Sequence, residues 1–357
     1  MTRKLNNIQK RLMAIVALAV VIWLFMLFAD HPKAVERYYS TGFYVFVCRV
    51  LHPVFNIFPF SVGDLLYISI VAYLIYLLIR FIMLLFKRQF KLAGNLLLGL
   101  IVGIQIGVIT FYIFWGLNYF RPSAAERLGL LDTNYTTADL KRVTHIIIDS
   151  ANACRDHITR ADTLQNNAAI YKTAVTAVSK LSADSVSFRT WYPGIKPSLL
   201  TPLINYLGTS GYYNPFTTEA QMNYEMPIFE RPFVACHEMS HQMGYGPEDE
   251  ANFAGFLAGV GSHDRLLRYS AYQEALDECM HALRRRDTVA SNELKPYISA
   301  SVKHDIRAQR AYWFSFHGKA GILSSIFYDD YLKANNQPHG LGTYNQMVLL
   351  LMAWYSK

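Results

Sequence analysis

The chain has 357 residues, 52% of them hydrophobic, and carries 34 Lys and Arg against 26 Asp and Glu, a formal charge of +8. That excess could indicate a nucleic-acid partner, but residues 121–357 hold 23 basic and 23 acidic residues, while residues 1–120 hold 11 basic residues against Asp30, Glu36 and Asp64. The basic surplus therefore belongs wholly to the apolar first third, where it is a topology signal, and no nucleic-acid footprint is expected.

Residues 12–29 are uncharged over a length that, as a helix, covers a ~30 Å hydrocarbon core. The run is too long for a signal peptide, and no small-residue cleavage site follows it. Residues 64–86 and 93–117 read as two further spans, with Arg80 placed to snorkel to the head groups. Arg3, Lys4, Lys10 and Arg11 before the first span, and Lys87, Arg88 and Lys91 between the second and third, put both segments in the cytoplasm. The domain after the third span is then expected outside. Between the first two spans, the apolar stretch from Phe43 to Phe60 is broken by Arg49, His52 and Pro53 and reads as an interfacial or re-entrant piece.

From Arg121 onward the pattern is that of a mainly helical domain. Residues 136–157 and 163–182 have apolar residues at helical spacing, the first after a Thr/Asp start. Between about 185 and 230 the texture turns to Pro, Gly, Tyr, Phe and Thr, and Gly211 to Tyr224 reads as short strands and turns. Helices follow near 248–260, 266–286 and 296–316, then a closing segment from Tyr328 to Tyr355. Cys48, Cys154, Cys236 and Cys279 are too scattered for a disulfide framework, although one bridge among the last three is conceivable. Cys236 suits a small buried position on a core-facing helix.

One constellation carries chemistry. His237-Glu238-Met239-Ser240-His241 has the HExxH arrangement; on a helix the two histidines share one face and can bind one zinc ion through nitrogen. Glu238 stands beside them, where its carboxylate can act as general base toward a water activated by the metal. Pro232 suits the first turn of such a helix and Gly244 its end. After the tight turn Gly244-Tyr245-Gly246-Pro247, a second helix opens with Glu248, Asp249 and Glu250, any of which can supply a third ligand. Glu248 is favoured because Asn252 then lies one turn away on the same face, able to bond a ligating imidazole. Glu250 is the runner-up and Asp249 comes last.

HExxH followed by Glu248-x-x-Ala251-Asn252 resembles the glutamate-liganded zinc peptidases, the gluzincins. More narrowly, the elements from Pro215 to Ala220, Cys236 to Gln242 and Glu248 to Asn252 resemble an uncharacterised family of bacterial membrane proteins. The resemblance implies zinc on His237, His241 and Glu248 with Glu238 as general base. The six residues between His241 and Glu248 are fewer than gluzincins usually have and approach the metzincin spacing, whose glycine matches Gly244 but whose third histidine falls on Pro247.

Related peptidases hold an edge strand before the metal helix, so Gly211 to Tyr224 is either a substrate-pairing strand or a structural hairpin. Glu219 is expected at a turn or on the surface, with a role at the site as the alternative. Tyr344, His317 and His304 are candidates by type and position to stabilise an oxyanion, but a structural role is the favoured reading of each. The Arg284-Arg285-Arg286 run is accounted for by its place at a helix end. The expectation is thus an N-terminal three-helix transmembrane region (1–120) followed by a mainly α (α+β) zincin-like domain with a small β-sheet (121–357). Function is expected to be that of a zinc hydrolase, a peptidase, anchored in a bacterial inner membrane and acting on peptide or protein substrates near the lipid bilayer. A non-catalytic zinc-containing binding or sensor module is the alternative.

Overall fold

A computed structural model describes residues 6–130, 134–338, 340 and 347–356. Among them, three helices are long and apolar enough to cross a membrane: α1 (Asn7–Ala29), α3 (Val62–Phe86) and α4 (Phe90–Phe114). Their apolar side chains face outward along nearly the whole length, with Trp23 58%, Leu78 57% and Ile104 57% exposed, so these helices do not form a water-soluble core. α1 and α4 run in parallel, tied where Arg11 meets the Asn95 carbonyl and where Gln105 Nε2 donates to the Ile15 carbonyl at 3.1 Å. α3 is joined to α4 by the short basic turn at Lys87 and Arg88, so Lys10, Arg11, Lys87 and Arg88 all lie at the ends remote from the rest of the protein.

Between α1 and α3 the chain is helical from Pro32–Ala34, through a π-helical stretch Val35–Phe43, into α2 (Tyr44–Asn56). One face, with Tyr44, Cys48 and His52, is buried; the other exposes Phe46, Val50, Val54 and Ile57 at helical spacing. The helix is thus two-sided, with one face packed against the protein and the other apolar and exposed. Tyr44 OH donates to the Gln242 carbonyl at 3.1 Å, which fixes this helix on the end of the HExxH helix.

The rest of the chain is mainly helical: α5 (Thr137–Asp156), α6 (Asn167–Asp184), α7 (Arg231–Gln242), α8 (Glu248–Val260), α9 (Arg265–Arg286), α10 (Ala300–Ser315), α11 (Lys319–Ala334) and α12 (Met347–Tyr355). α5 begins with a capping box between Thr136 and Asp139, the Thr/Asp start visible in the sequence. α7 is central, packed on α8, α6 and the sheet, and its residues from Pro232 to Gln242 are all buried. Strands β1 (Ile195–Pro197), β2 (Gly211–Asn214) and β3 (Glu219–Met222) form one sheet of order β1-β3-β2, with β1 parallel and β2 antiparallel to β3. The short helix Thr201–Leu207 and most of α11 were not foreseen in the sequence; four apolar residues of α11, Ile322, Leu323, Ile326 and Phe327, are exposed, so no buried stripe announces it. All four cysteines are free among the described residues.

The sheet is bonded to the helices of spanning length. Expected at a turn or on the surface, Glu219 is instead buried: its carboxylate accepts from the Val62 and Gly63 amides at 3.2 and 2.6 Å, capping the N-terminus of α3, and pairs with Lys196 Nζ at 2.5 Å. Asp64, in the first turn of α3, accepts from the Leu199 amide at 2.7 Å and from Tyr212 OH. A buried cluster including Tyr39, Tyr44, Tyr112, Trp115 and Tyr119, with Tyr213 packed against it, continues the contact, so the ends of α3 and α4 are built into the wall of the globular part.

Candidate metal centre

Arg231-Pro232 opens α7 with proline in the first turn, where its missing N–H costs no hydrogen bond, and the helix stops at Gly244, whose φ of +80° favours glycine. A Cβ at Gly244 would also meet Arg121 Nη1 and Asn118 Oδ1, both at 2.9 Å. Arg121 is there because Nη1 donates to the Gly244 carbonyl at 2.9 Å, a cation at the helix C-terminus, while its Nε meets Glu36 Oε2 at 2.6 Å. From this anchored turn the chain reverses into α8, held close to α7 at Gly255, where a Cβ would lie 3.0 Å from the His237 amide nitrogen.

That close approach brings Glu248 to the histidines. Its Oε2 lies 3.2 Å from His237 Nε2 and 3.8 Å from His241 Nε2. Ligands at 2.0–2.1 Å from a tetrahedral zinc stand about 3.3 Å apart, so these separations suit one ion between the three groups. Donor atoms of His237, Glu238 and His241 also lie within 4.8 Å of one another. His241 Nδ1 is 2.7 Å from the Tyr245 carbonyl, a contact that makes Nδ1 the protonated nitrogen and leaves Nε2 free to ligate. Tyr328 OH donates to Glu248 Oε1 at 2.6 Å and so orients the carboxylate; no local sequence signal joins residues 80 positions apart. Asn252 stands close enough to His237 to favour its protonated form, yet His237 Nδ1 is buried without a hydrogen-bond partner among the described residues.

Burial and the mutual charges of the four groups set the electrostatics of the cluster. Burial pulls the His237 pKa down, but the hydrogen bond and charge of Glu248, with Glu238, outweigh it and push it up to about 9. For Glu248 burial works upward, while His241, His237 and Tyr328 prevail and hold the carboxyl at about 2. Burial, joined by the charge of His237, outweighs Glu248 and lowers His241 to about 4, and burial, joined by the charge of Glu248, outweighs His237 and pushes Glu238 up to about 8. Glu238 packs against the start of β2, where a Cβ on Gly211 would come 2.6 Å from its Oε1; its Oε2 is buried with no partner among the described residues. An unpaired buried carboxylate oxygen is costly and belongs at a site where something else occupies it.

The other two acids are turned away. Glu250 Oε1 accepts from the Ala124 amide at 2.6 Å and Oε2 pairs with Arg127 Nη2 at 2.7 Å; Asp249 is half-buried and outside the cluster, with desolvation and the Glu250 charge pushing its pKa well up. Because the Arg127–Glu250 pair is buried on both sides, Glu250→Gln is expected to leave the guanidinium uncompensated and cost about 3–5 kcal/mol. Chemical denaturation should record that loss while metal content stays at the wild-type level.

A cavity of about 1210 Å³ opens on the cluster, lined by His237, Glu238, His241 and Glu248, by β2, and by Tyr328 and Tyr331 of α11. At another side it meets Glu230, which accepts from Trp313 Nε1 at 3.0 Å and is pushed up to about 7 by burial; nothing in the sequence pointed to it. His304 and His317, the sequence candidates for oxyanion stabilisation, are not among the residues lining this cavity: His304 is largely exposed beside Asp305, and His317 stacks on Phe314. Tyr344 lies outside the described residues. Arg286 stacks over Tyr135 at 4.8 Å, a packing role remote from the cluster.

The sequence profile described as "Protein of unknown function (DUF3810)" matches residues 39–352. No curated protein and no solved structure matches the chain.

Proposed function

The chain belongs to the DUF3810 family, whose function is unknown, and from that premise we propose that it is a membrane-anchored zinc hydrolase, a gluzincin-like peptidase. The observation that carries the reading is the convergence of Glu248 Oε2 on both imidazole nitrogens at 3.2 and 3.8 Å beside Glu238 Oε2, which has no hydrogen-bond partner among the described residues. Three protein ligands and an open cavity are the pattern of a catalytic zinc site; a purely structural site closes its shell with a fourth protein ligand.

His237, His241 and Glu248 would hold the ion, with Tyr328 and the Tyr245 carbonyl fixing the carboxylate and one ring. Zinc, when bound, supplies Lewis-acid activation of a water and of the scissile carbonyl. Glu238 takes the proton from the attacking water on Oε2 and returns it to the leaving amine. β2 is at the edge of its sheet and borders the cavity, so an extended peptide can pair with its open side. The basic residues at the remote ends of the spans support a cytoplasmic side for those ends, and with it a cluster on the outer face of a bacterial inner membrane.

The test is cleavage of a quenched-fluorescent peptide library by the full chain in lipid nanodiscs. Hydrolysis that stops on chelation and returns with stoichiometric zinc is expected. Zinc binding with no hydrolysis of any member would instead favour the non-catalytic zinc module.

A further inference from the structure

The cavity at the metal cluster does not stop at the globular part. It continues onto α4, where Ile104, Gly107, Val108 and Phe111 line it, and it also touches Tyr67 of α3. Positions 104, 107, 108 and 111 form a single helix face. Ile104 lies roughly 15 Å along α4 from its Phe114 end, a depth well inside the hydrocarbon of a bilayer that these helices span. At Gly107 a Cβ would meet no described atom within 4 Å, so the groove is empty of protein there. Ser325 and Tyr328 of α11 line the cavity as well, and α11 turns exposed Ile322, Leu323, Ile326 and Phe327 outward, an apolar face suited to lie at the membrane surface.

From this continuity we infer that the substrate is a polypeptide carrying a long acyl chain, which lies along the α4 face while the peptide reaches the cluster. The inference rests on the zinc-peptidase reading and adds the substrate class. An acyl chain fits where a transmembrane helix does not. α3 ends at Phe86 and α4 begins at Phe90, so the space between them is closed at the far end by a short turn. A spanning helix is about 10–12 Å wide and would have to pass that closure; a flexible hydrocarbon tail stops short of it. Direct passage from bilayer to cleft also keeps the tail out of water throughout, which a cleft open only to solvent would not.

The experiment uses the full chain, zinc-loaded, in phosphatidylcholine nanodiscs. Its probes are a zinc-chelating peptide hydroxamate and the same hydroxamate bearing an N-palmitoyl group. The readout is the affinity gained from the palmitoyl group within each protein, for wild type and for Gly107→Phe, so that bilayer partitioning and any general loss cancel. The gain should be at least about tenfold larger in the wild type, the order of effect expected when a phenyl ring overpacks the space that the tail needs. A diazirine placed in the palmitoyl chain should, independently of any variant, label residues between Ile104 and Phe111. An equal gain in the two proteins together with labelling confined elsewhere overturns the acyl groove while leaving the zinc site intact, because the unacylated hydroxamate still binds. Greater gain from a transmembrane-peptide hydroxamate than from the palmitoyl one likewise overturns it. Failure of the protein to retain zinc, or of both hydroxamates to bind, refutes the zinc-peptidase reading and the inference with it.

Discussion

His241→Ala is expected to abolish stoichiometric zinc binding and to remove the stabilisation that zinc confers. A ligand present at a thousand times its dissociation constant stabilises the folded state by about 4 kcal/mol, and a variant lacking one of three protein ligands no longer benefits at the same concentration. The wild type should therefore show a melting temperature that falls on chelation, and His241→Ala one that does not respond. The choice of His241 sharpens the test. Its Nδ1 is committed to the Tyr245 carbonyl and its ring sits edge-on to Trp115 at 5.7 Å, so its only available function at the cluster is through Nε2. His241→Asn removes that nitrogen while keeping a polar side chain, and should match the alanine variant in zinc content. Retention of a full equivalent of zinc by both would remove His241 from the shell.

Glu238→Gln is expected to separate chemistry from metal binding. The amide cannot accept the proton of the attacking water, so peptide hydrolysis should fall by about 10²–10⁴-fold, the usual worth of a positioned general base. Zinc content should be unchanged, because the substituted group is the same size and the three ligands are untouched. The loss should appear in kcat with little change in KM, as for an interaction made only in the transition state. Glu238 Oε2 has no partner among the described residues, so the substitution also breaks no existing hydrogen bond at that atom and folding should be preserved. Equal hydrolysis by Glu238→Gln and wild type would move the proton-transfer role to another group.

Much of this arrangement was legible in the sequence because its signals are local. Apolar runs of spanning length mark α1, α3 and α4 regardless of what surrounds them, and all three helices begin within a few residues of the expected positions. The starts of α8 at Glu248 and α9 at Arg265 follow from the turn at Gly244–Pro247 and from Asp264, whose side chain caps the Leu267 amide. The i, i+4 spacing of His237 and His241 places both rings on one side of any helix.

The remainder depends on contacts between distant positions. Glu219 reads as a surface acid until the α3 N-terminus and Lys196 are brought to it from 156 and 23 residues away. Tyr328 sits in a helix whose exposed apolar face hides its periodicity, and its bond to Glu248 exists only because α11 crosses the end of α4, where Tyr331 lies 6.3 Å from Phe111. The competition among Glu248, Glu250 and Asp249 likewise turns on Arg127, which draws Glu250 to the opposite side of α8. Least visible was the merging of the membrane and globular parts. A boundary at residue 120 separates two compositions, yet Trp115 Nε1 donates to the His241 carbonyl at 2.9 Å, so the end of a helix of spanning length supports the HExxH helix directly.

The claim on which all of this depends is that two imidazoles and one carboxylate share a zinc ion, and X-ray absorption at the zinc edge of the purified full chain measures it most directly. One equivalent of zinc, with two imidazole nitrogens and an oxygen-only remainder at about 2.0–2.2 Å, is the spectrum expected, and one imidazole should disappear in His237→Ala. Absence of bound zinc after reconstitution, or a shell that is unchanged in His237→Ala, would contradict it.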